Sequence, residues 1–163
     1  MISIFIASDH AGVELKTELL QEFAKPPAMN QYQVTDMGPF SKDSVDYPDY
    51  ADLVCRRLSA LEVVADPDQV APLALPNQFG ILICGSGQGM CMRANKFPHI
   101  RAALCFSIVV AHLAREHNNA NILCLGSRTL APELVWPMTL EFLKTPFAGG
   151  RHSQRVGKIS RPV

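Results

Sequence analysis

The chain has 163 residues, 48% of them hydrophobic, with 15 basic and 15 acidic side chains. This length fits one domain, and the apolar content is sufficient for a buried core without stabilising disulfides. The formal net charge of zero gives no general electrostatic reason to expect nucleic-acid binding. No run of residues approaches the roughly 20 apolar positions of a membrane span. We therefore predict a single domain over residues 1–163, with neither a nucleic-acid nor a membrane partner.

Five cysteines are present, and none of them forms a CxxC pair. An odd number of cysteines in this arrangement is typical of reduced thiols rather than a disulfide framework. The N-terminus opens directly on an apolar strand pattern and lacks the basic segment and long apolar stretch of a signal peptide. The sequence therefore predicts a cytoplasmic protein.

Short apolar runs alternate with helical patterns along the chain. Strands are predicted at residues 2–7, 31–36, 80–84, 101–105 and 121–125. Helices are predicted at residues 13–23, 48–61, 87–97, 107–117 and 132–143. Repeated strand–helix order favours an α/β fold, in which a five-stranded parallel sheet carries helices on both faces.

Two segments interrupt this alternation. Residues 63–78 contain three prolines and are predicted to form a surface loop, longer than most connections in a compact domain. The tail from residue 145 is rich in glycine, arginine and lysine and lacks the apolar periodicity of a helix. We expect this tail to cross the surface or to reach a neighbouring subunit.

Ligands in sheets of this kind bind beyond the carboxyl ends of the strands. The residues that follow the first, third and fifth predicted strands are 8–12, 84–89 and 126–128. They bring a carboxylate, an imidazole, a thiol, a glycine-rich turn and a guanidinium to the same edge. This combination indicates an enzyme that acts on a small molecule.

The glycine loop (residues 85–89) has glycine at every second position, directly after Cys84. Such spacing lets backbone N–H groups converge on an anion, although it is equally compatible with a plain tight turn. The dinucleotide and phosphatase motifs would need a glycine or an arginine at position 90, where Met90 stands, and the P-loop lysine is absent.

A cysteine at a strand end is more often an inert core residue than a catalyst. Cys84, however, precedes a predicted helix N-terminus, where backbone N–H donors favour the thiolate. Cys91 and Cys124 lack that setting, and we interpret both as core residues.

The other candidate residues also have structural interpretations. Asp9 and His10 would cap the first helix, and His117 would complement a helix dipole. The Tyr47-Pro48 pair would form only a turn and a helix start. The cations of residues 151–155 fit a solvated tail as well as a phosphate clamp.

Taken together, the motifs resemble ribose-5-phosphate isomerase of type B, within a wider family that includes galactose-6-phosphate isomerase subunits. The resemblance covers nearly the whole chain, except the 63–78 loop and the last few residues. The matching segments are residues 9–12, 46–48, 80–89, 94–96, 100–102, 117–118, 121, 126–128 and 149–155.

The resemblance implies a three-layer α/β/α fold and a homodimer, or a tetramer built from dimers, with active sites shared between subunits. It implies interconversion of ribose 5-phosphate and ribulose 5-phosphate with no metal or organic cofactor. The phosphosugar is then the small-molecule partner.

The resemblance also assigns roles. Cys84 falls on the base that moves a proton between C2 and C1, and the glycine loop would stabilise the enediolate. Ser86, where many members have threonine, would hydrogen-bond O1 or O2. His117 falls on the acid that opens the furanose ring, with Asp9 on the anomeric hydroxyl. Substrate-binding positions fall on Asp9, His10, Tyr47, Gly85, Ser86, Gly87, Gln88, Gly89, Asn118, Arg128, Arg151, His152 and Arg155.

Some family members lack the cysteine and use a glutamate of the glycine loop instead. That glutamate would fall at Met90 here, so this chain is expected to depend on its cysteine. Three other functions remain open. They are isomerisation of a hexose phosphate such as galactose 6-phosphate or allose 6-phosphate, binding of a sugar phosphate without turnover, and a redox role for the thiols.

Overall fold

The computed structural model describes residues 1–58 and 77–159. Most of the predicted loop at 63–78, the end of the predicted second helix and the last four residues of the tail lie outside these ranges. The strands are β1 (Ile2–Ser8), β2 (Tyr32–Asp36), β3 (Gln78–Cys84), β4 (Ala102–Leu104) and β5 (Ile122–Gly126). The helices are α1 (Val13–Phe23), α2 (Ala28–Gln31), α3 (Tyr47–Arg57), α4 (Gln88–Ala94), α5 (Ile108–Asn118), α6 (Pro132–Lys144) and α7 (Arg151–Ile159), with a 3₁₀ turn at His10–Gly12.

The five strands form one parallel sheet in the order β2-β1-β3-β5-β4. In this register Ile6 pairs with Asp36 on one side and with Ile81 on the other, and Cys84 pairs with Gly126. From β1 the chain runs to β2 at one edge of the sheet, and it then crosses back to β3 on the other side of β1. The direction of winding therefore reverses between β1 and β3, and a crevice opens beyond the carboxyl ends of these two strands.

Helices cover both faces of the sheet. Ile4 and Ile6 of β1 pack in a core with residues of α1, α5 and α6, whereas Phe5 and Ala7 pack in a second core with residues of α3 and α4. Because alternate side chains enter different cores, the strands are apolar on both faces, as expected for a buried parallel sheet. The predicted α/β fold with a five-stranded parallel sheet between helical layers is confirmed.

A buried ion pair fixes the chain after β2. The Nζ of Lys16, on α1, lies 2.6 Å from Asp36 Oδ1 and donates to the carbonyl of Pro39 at 2.8 Å. Lys16 is 2% exposed, so the pair is shielded from solvent on the side of α1. The hydrophobic pattern of α1 did not predict this buried lysine. The contact anchors the segment that leads to Tyr47 and the start of α3.

The sequence pattern did not predict a helix in the tail, but Arg151–Ile159 forms helix α7. Gly149 and Gly150 have φ values of 64° and 54° and lead the chain into this helix. Only Ser153 and Val156 are buried on α7. A face of one valine and one serine is too sparse to give a periodic hydrophobic signal. The short helix α2, which precedes β2, was also not predicted.

Boundaries elsewhere shift by a few residues. Helix α3 ends at Arg57 with Leu58 as its C-cap, short of the predicted end, and β3 begins at Gln78 rather than at residue 80. In residues 1–58 and 77–159, every helix is too short or too polar to cross a bilayer.

Candidate active site

A cavity of about 420 Å³ lies at the crevice beyond the carboxyl ends of β1 and β3. It is lined by Asp9, His10, Ala11, Tyr47, Cys84, Gly85, Ser86, Gly89, Arg128 and Thr129. Eight of these ten were predicted from the sequence as site residues. A cavity of about 470 Å³ between α1 and α6 is slightly larger, but it holds none of the predicted site residues. Chemistry rather than volume therefore identifies the site.

Cys84 places its sulfur at the wall of this cavity. The residue ends β3 and is only 5% exposed. The backbone N–H of Gly87 donates to Cys84 Sγ at 3.1 Å, and the carbonyl of Cys84 accepts from Ser127 N at 2.9 Å. The sulfur therefore lies at the cavity wall with a backbone N–H donor directed at it.

The conformation of Gly87 makes this donor available. Its φ of 75° is left-handed, which side chains rarely adopt, and it forms the N-cap of α4. A Cβ at this position would lie 2.5 Å from Leu104 Cδ1 and 2.9 Å from the carbonyl carbon of Leu125. The turn therefore requires glycine for two independent reasons, and it directs an N–H group at Cys84.

Tyr47 closes one side of the cavity. An added Cβ on Gly89 would come within 2.6 Å of the Tyr47 ring, so the first turn of α4 lies directly against that ring. Proline at the following position suits the first turn of α3. The predicted role of Tyr47-Pro48 as a helix start is therefore correct, and the ring also lines the cavity.

The loop after β1 contributes Asp9 and His10. Asp9 is 7% exposed, and its Oδ1 accepts from Gly12 N at 3.0 Å, so it does cap the following turn as its structural interpretation predicted. The backbone N–H of Asp9 donates to Ile83 O at 2.9 Å, which holds this loop against β3. His10 Nδ1 accepts from Val45 N at 3.4 Å.

The loop after β5 completes the cavity. Arg128 lies against Gly85, since an added Cβ there would sit 3.3 Å from Arg128 Nη1. Ser127 Oγ donates to the carbonyl of Ala11 at 2.9 Å and so links this loop to the loop after β1. The sequence reasoning missed Ala11 and Thr129. Both directly follow predicted site residues in strand-end loops, so extending those loops by one position would have found them.

The remaining predicted residues form a second cluster where α5 ends and α7 begins. His117 and His152 stack with ring centroids 4.4 Å apart and planes at 7°. Arg151 and Arg155 are exposed on α7, and exposed Asn118 ends α5. None of these five lines the 420 Å³ cavity in the described part of the chain. The same is true of Gly87 and Gln88, which stand in the turn leading into α4.

The second cluster is electropositive. Partial burial lowers the pKa of His152, and the nearby His117, Arg151 and Arg155 lower it further. Cations that disfavour one another in this way create a site that an anion would stabilise. The cluster thus has the charge required of a phosphate site.

The other cysteines differ in their chemistry. Burial raises the pKa of the Cys55 and Cys105 thiols to about 12 and that of Cys124 well above its usual range, so these thiols are unreactive. Cys91 is half-buried and packs against the second core, so its predicted core role is met in part. A hydrogen bond with the Cys124 thiol lowers the pKa of Cys91 to about 7. Thiol labelling alone would therefore not single out Cys84.

No group of three or more histidine, cysteine, aspartate or glutamate side chains suited to a metal ion occurs within residues 1–58 and 77–159.

Comparison with known proteins gives a consistent result. The family model described as Ribose/Galactose Isomerase matches residues 4–159. The probable ribose-5-phosphate isomerase B of Mycoplasma pneumoniae is 45% identical over 157 residues, covering 96% of this chain and 91% of the relative. Ribose-5-phosphate isomerase B of Escherichia coli is 36% identical, covering 98% and 95%.

A solved structure agrees with these relatives. Ribose-5-phosphate isomerase B from Mycoplasma genitalium, with bound ribulose-5-phosphate, superposes with a TM-score of 0.80 at 41% identity and covers 98% of this chain and 95% of its own. Matches of this extent cover the sheet, both residue clusters and α7 together. The chain therefore belongs to the Ribose/Galactose Isomerase family.

Proposed function

We propose that this chain interconverts D-ribose 5-phosphate and D-ribulose 5-phosphate through an enediolate. The observation that carries the proposal is the Cys84 sulfur at the cavity wall, with the Gly87 N–H directed at it from 3.1 Å. Relatives over nearly the full length of the chain are named for this reaction, and one was solved with ribulose-5-phosphate bound.

In this mechanism the Cys84 thiolate removes the proton from C2 of the open-chain aldose and returns it to C1. Between these two proton transfers, negative charge develops on the enediolate oxygens. Backbone N–H groups of the glycine loop oppose that charge, and they need no reorganisation because the turn is already formed. The Ser86 hydroxyl hydrogen-bonds O1 or O2. The Asp9 carboxylate accepts a hydrogen bond from the anomeric hydroxyl of the closed sugar ring.

The proposal assigns ring opening and phosphate binding largely to the second cluster. His117 donates the proton that opens the furanose, Asn118 binds the sugar, and Arg151 and Arg155 bind the phosphate. His10 and Arg128 supply further donors from the cavity itself. Because the two clusters do not line one cavity within the chain, we propose that a second copy of the chain brings its cluster to the cavity of the first.

Exposed apolar side chains support a homodimer. Met92, Phe106 and Val109 are 64%, 65% and 66% exposed. In a homodimer, a second copy of the chain would cover such side chains and remove their apolar surface from water. A tetramer formed from two such dimers would preserve the same sites. All five cysteines are free, which suits the reducing cytoplasm where we place the protein.

Substitution of Cys84 tests the chemistry. A positioned base contributes roughly 10²- to 10⁴-fold in rate, so Cys84→Ala should lower kcat by that factor while the circular dichroism spectrum is retained. Cys91→Ala is the matched control, because it removes a half-buried thiol that does not line the cavity and should leave kcat within a few-fold. Equal activities of the two variants would contradict the base role of Cys84.

A substrate panel tests the reaction itself. Rates with ribose 5-phosphate, allose 6-phosphate and galactose 6-phosphate should rank the pentose first in kcat/KM. A higher value for a hexose phosphate would assign the chain to hexose-phosphate isomerisation. If solvent deuterium exchanged into none of the three sugar phosphates, the chain would be a protein that binds a sugar phosphate without turnover.

Mixing of inactive variants tests the shared site. In a heterodimer of Cys84→Ala and His117→Ala chains, one of the two sites would contain both parental residues. Random assortment of equal amounts should therefore restore about one quarter of the parental sites, since roughly half the dimers are mixed and half their sites are intact. A site built within one chain would instead show no recovery after mixing.

A further inference from the structure

A single carboxylate, that of Glu116, joins two histidines at the end of α5. Glu116 Oε2 lies 3.1 Å from His117 Nε2 and 3.5 Å from His112 Nε2. The main chain of the same residue is also fixed, because its carbonyl accepts from Ala148 N at 2.9 Å. That bond ties α5 to the segment that leads into α7.

The groups around His117 come from two helices. Glu116 is its neighbour on α5, and α7 contributes the stacked ring of His152 together with Arg151 and Arg155. All the α7 groups are basic, so Glu116 is the acidic partner of the His117 ring. The stacked His152 restricts the ring plane, and Glu116 restricts the direction in which its Nε2 points.

The position of Glu116 is itself supported. His112, one turn earlier on α5, contacts Glu116 through Nε2 and Glu141 of α6 through Nδ1 at 2.8 Å. Glu141 pairs in turn with Lys144 at 2.7 Å, and hydrogen bonds to Lys144 and His112 lower its pKa. Carboxylates and basic side chains therefore alternate from α6 to the end of α5, and this order holds Glu116 against His117.

An imidazole with one nitrogen held by a carboxylate exchanges protons at its other nitrogen. The carboxylate fixes the ring orientation and the tautomer, and it stabilises the imidazolium when the ring is protonated. With Nε2 lying 3.1 Å from the Glu116 carboxylate, Nδ1 is the nitrogen that remains for substrate. As the imidazolium, His117 gives its Nδ1 proton to the ring oxygen while the sugar opens, and the neutral ring then takes up the proton released by the anomeric hydroxyl.

We propose that Glu116 is the positioning residue for His117 in ring opening. This inference rests on the proposed function. It does not involve the proton transfer between C2 and C1, for which Cys84 is responsible. Removing Glu116 should therefore impair reactions that begin with a closed ring and spare those that begin with an open chain.

Two reactions separate these steps. Isomerisation of ribose 5-phosphate requires ring opening, whereas exchange of solvent deuterium into C1 of the open-chain ketose ribulose 5-phosphate requires only the enediolate step. We expect Glu116→Ala to lower the first rate roughly tenfold to a hundredfold, the range typical of a lost orienting partner, and to leave the second within about threefold. Glu116→Gln retains an oxygen acceptor without the charge and should lose less.

Glu133→Ala is the control, because it removes an exposed carboxylate of α6 that takes no part in these contacts. It should leave the ratio of the two rates at the parental value. Equal loss of both rates in Glu116→Ala, or no loss in either, would overturn the positioning role and leave the proposed function intact. A parent enzyme that catalyses neither reaction would overturn both.

Nitrogen NMR of the histidine rings gives a readout independent of activity. In the parent, the neutral His117 ring should carry its proton on Nε2, and His117→Gln identifies its signals. In Glu116→Ala these signals should shift toward a mixture of both tautomers. An unchanged tautomer pattern in that variant would refute the inference even if the isomerisation rate had fallen.

Discussion

Alanine at Gly87 should destabilise the protein and disable its site at once. The left-handed φ of 75° costs an alanine about 1–2 kcal/mol. The added Cβ also lies 2.9 Å and 3.0 Å from backbone atoms of Leu125 in the interior strand β5, where overpacking costs about 1–3 kcal/mol. We expect Gly87→Ala to lower the free energy of unfolding by about 3 kcal/mol and Tm by about 6–12 °C.

The matched control is the same substitution in a helix. Gly157 lies within α7, and an added Cβ would meet no atom within 4 Å. Gly157→Ala should therefore raise the free energy of unfolding by about 0.5–1 kcal/mol through helix propensity and a more restricted unfolded chain. Urea denaturation at a fixed protein concentration measures both changes. Equal effects of the two substitutions would refute the left-handed, close-packed turn that directs its N–H at Cys84.

Two further predictions concern charged groups. Hydrogen bonds from Arg93 lower the pKa of Asp52. The ionised Asp52 therefore stabilises the fold fully above the unfolded pKa near 4, and this stabilisation is lost as the pH falls through the lower native pKa. Asp52→Asn should thus lower the urea midpoint at pH 7 but have little effect near pH 2, and a constant difference would contradict this. Arg155→Ala should raise KM for the phosphosugar roughly tenfold to a hundredfold, because a charge-assisted hydrogen bond to the phosphate is lost. Lys158 is another exposed cation of α7, and Lys158→Ala should leave KM unchanged. Equal KM values for the two variants would remove Arg155 from the phosphate site.

The cavity was predictable because its residues follow strands. Once β1, β3 and β5 were recognised as parallel strands, the rule that ligands bind at their carboxyl ends brought Asp9, Cys84 and Arg128 to one edge. The apolar runs of these strands are unambiguous, since they are buried on both faces. No knowledge of side-chain packing was needed for this part of the site.

Helix α7 was not predictable in the same way. Its stability depends on contacts with α5, including the stacking of His152 on His117, which join residues 35 positions apart in the chain. Local periodicity carries no information about such a contact. The buried Lys16 has a similar origin, because its partner Asp36 lies on another element and neutralises the charge that would otherwise exclude a lysine from the interior.

Glu116 escaped the sequence reasoning for a related reason. Consecutive residues of a helix do not normally face one another, so a glutamate next to a histidine predicts no contact. The contact forms here because α5 ends two residues after Glu116, at Asn118, and its C-cap Asn119 has a left-handed φ of 47°. The last turn of a helix is less constrained than its middle, and the two side chains can meet there.

The neutrality of the chain is compatible with an anionic substrate because two kinds of positive potential are available. Backbone N–H groups of the glycine loop oppose charge at the reacting carbons without requiring a counter-ion elsewhere. Full cations are needed only at the phosphate, where the proposal places Arg128, Arg151 and Arg155. Several other cations already have acidic partners, as Lys16 does in Asp36 and Arg93 does in Asp52. Since only a few charges face the substrate, screening by salt should weaken phosphate binding while the rate of proton transfer at Cys84 is preserved.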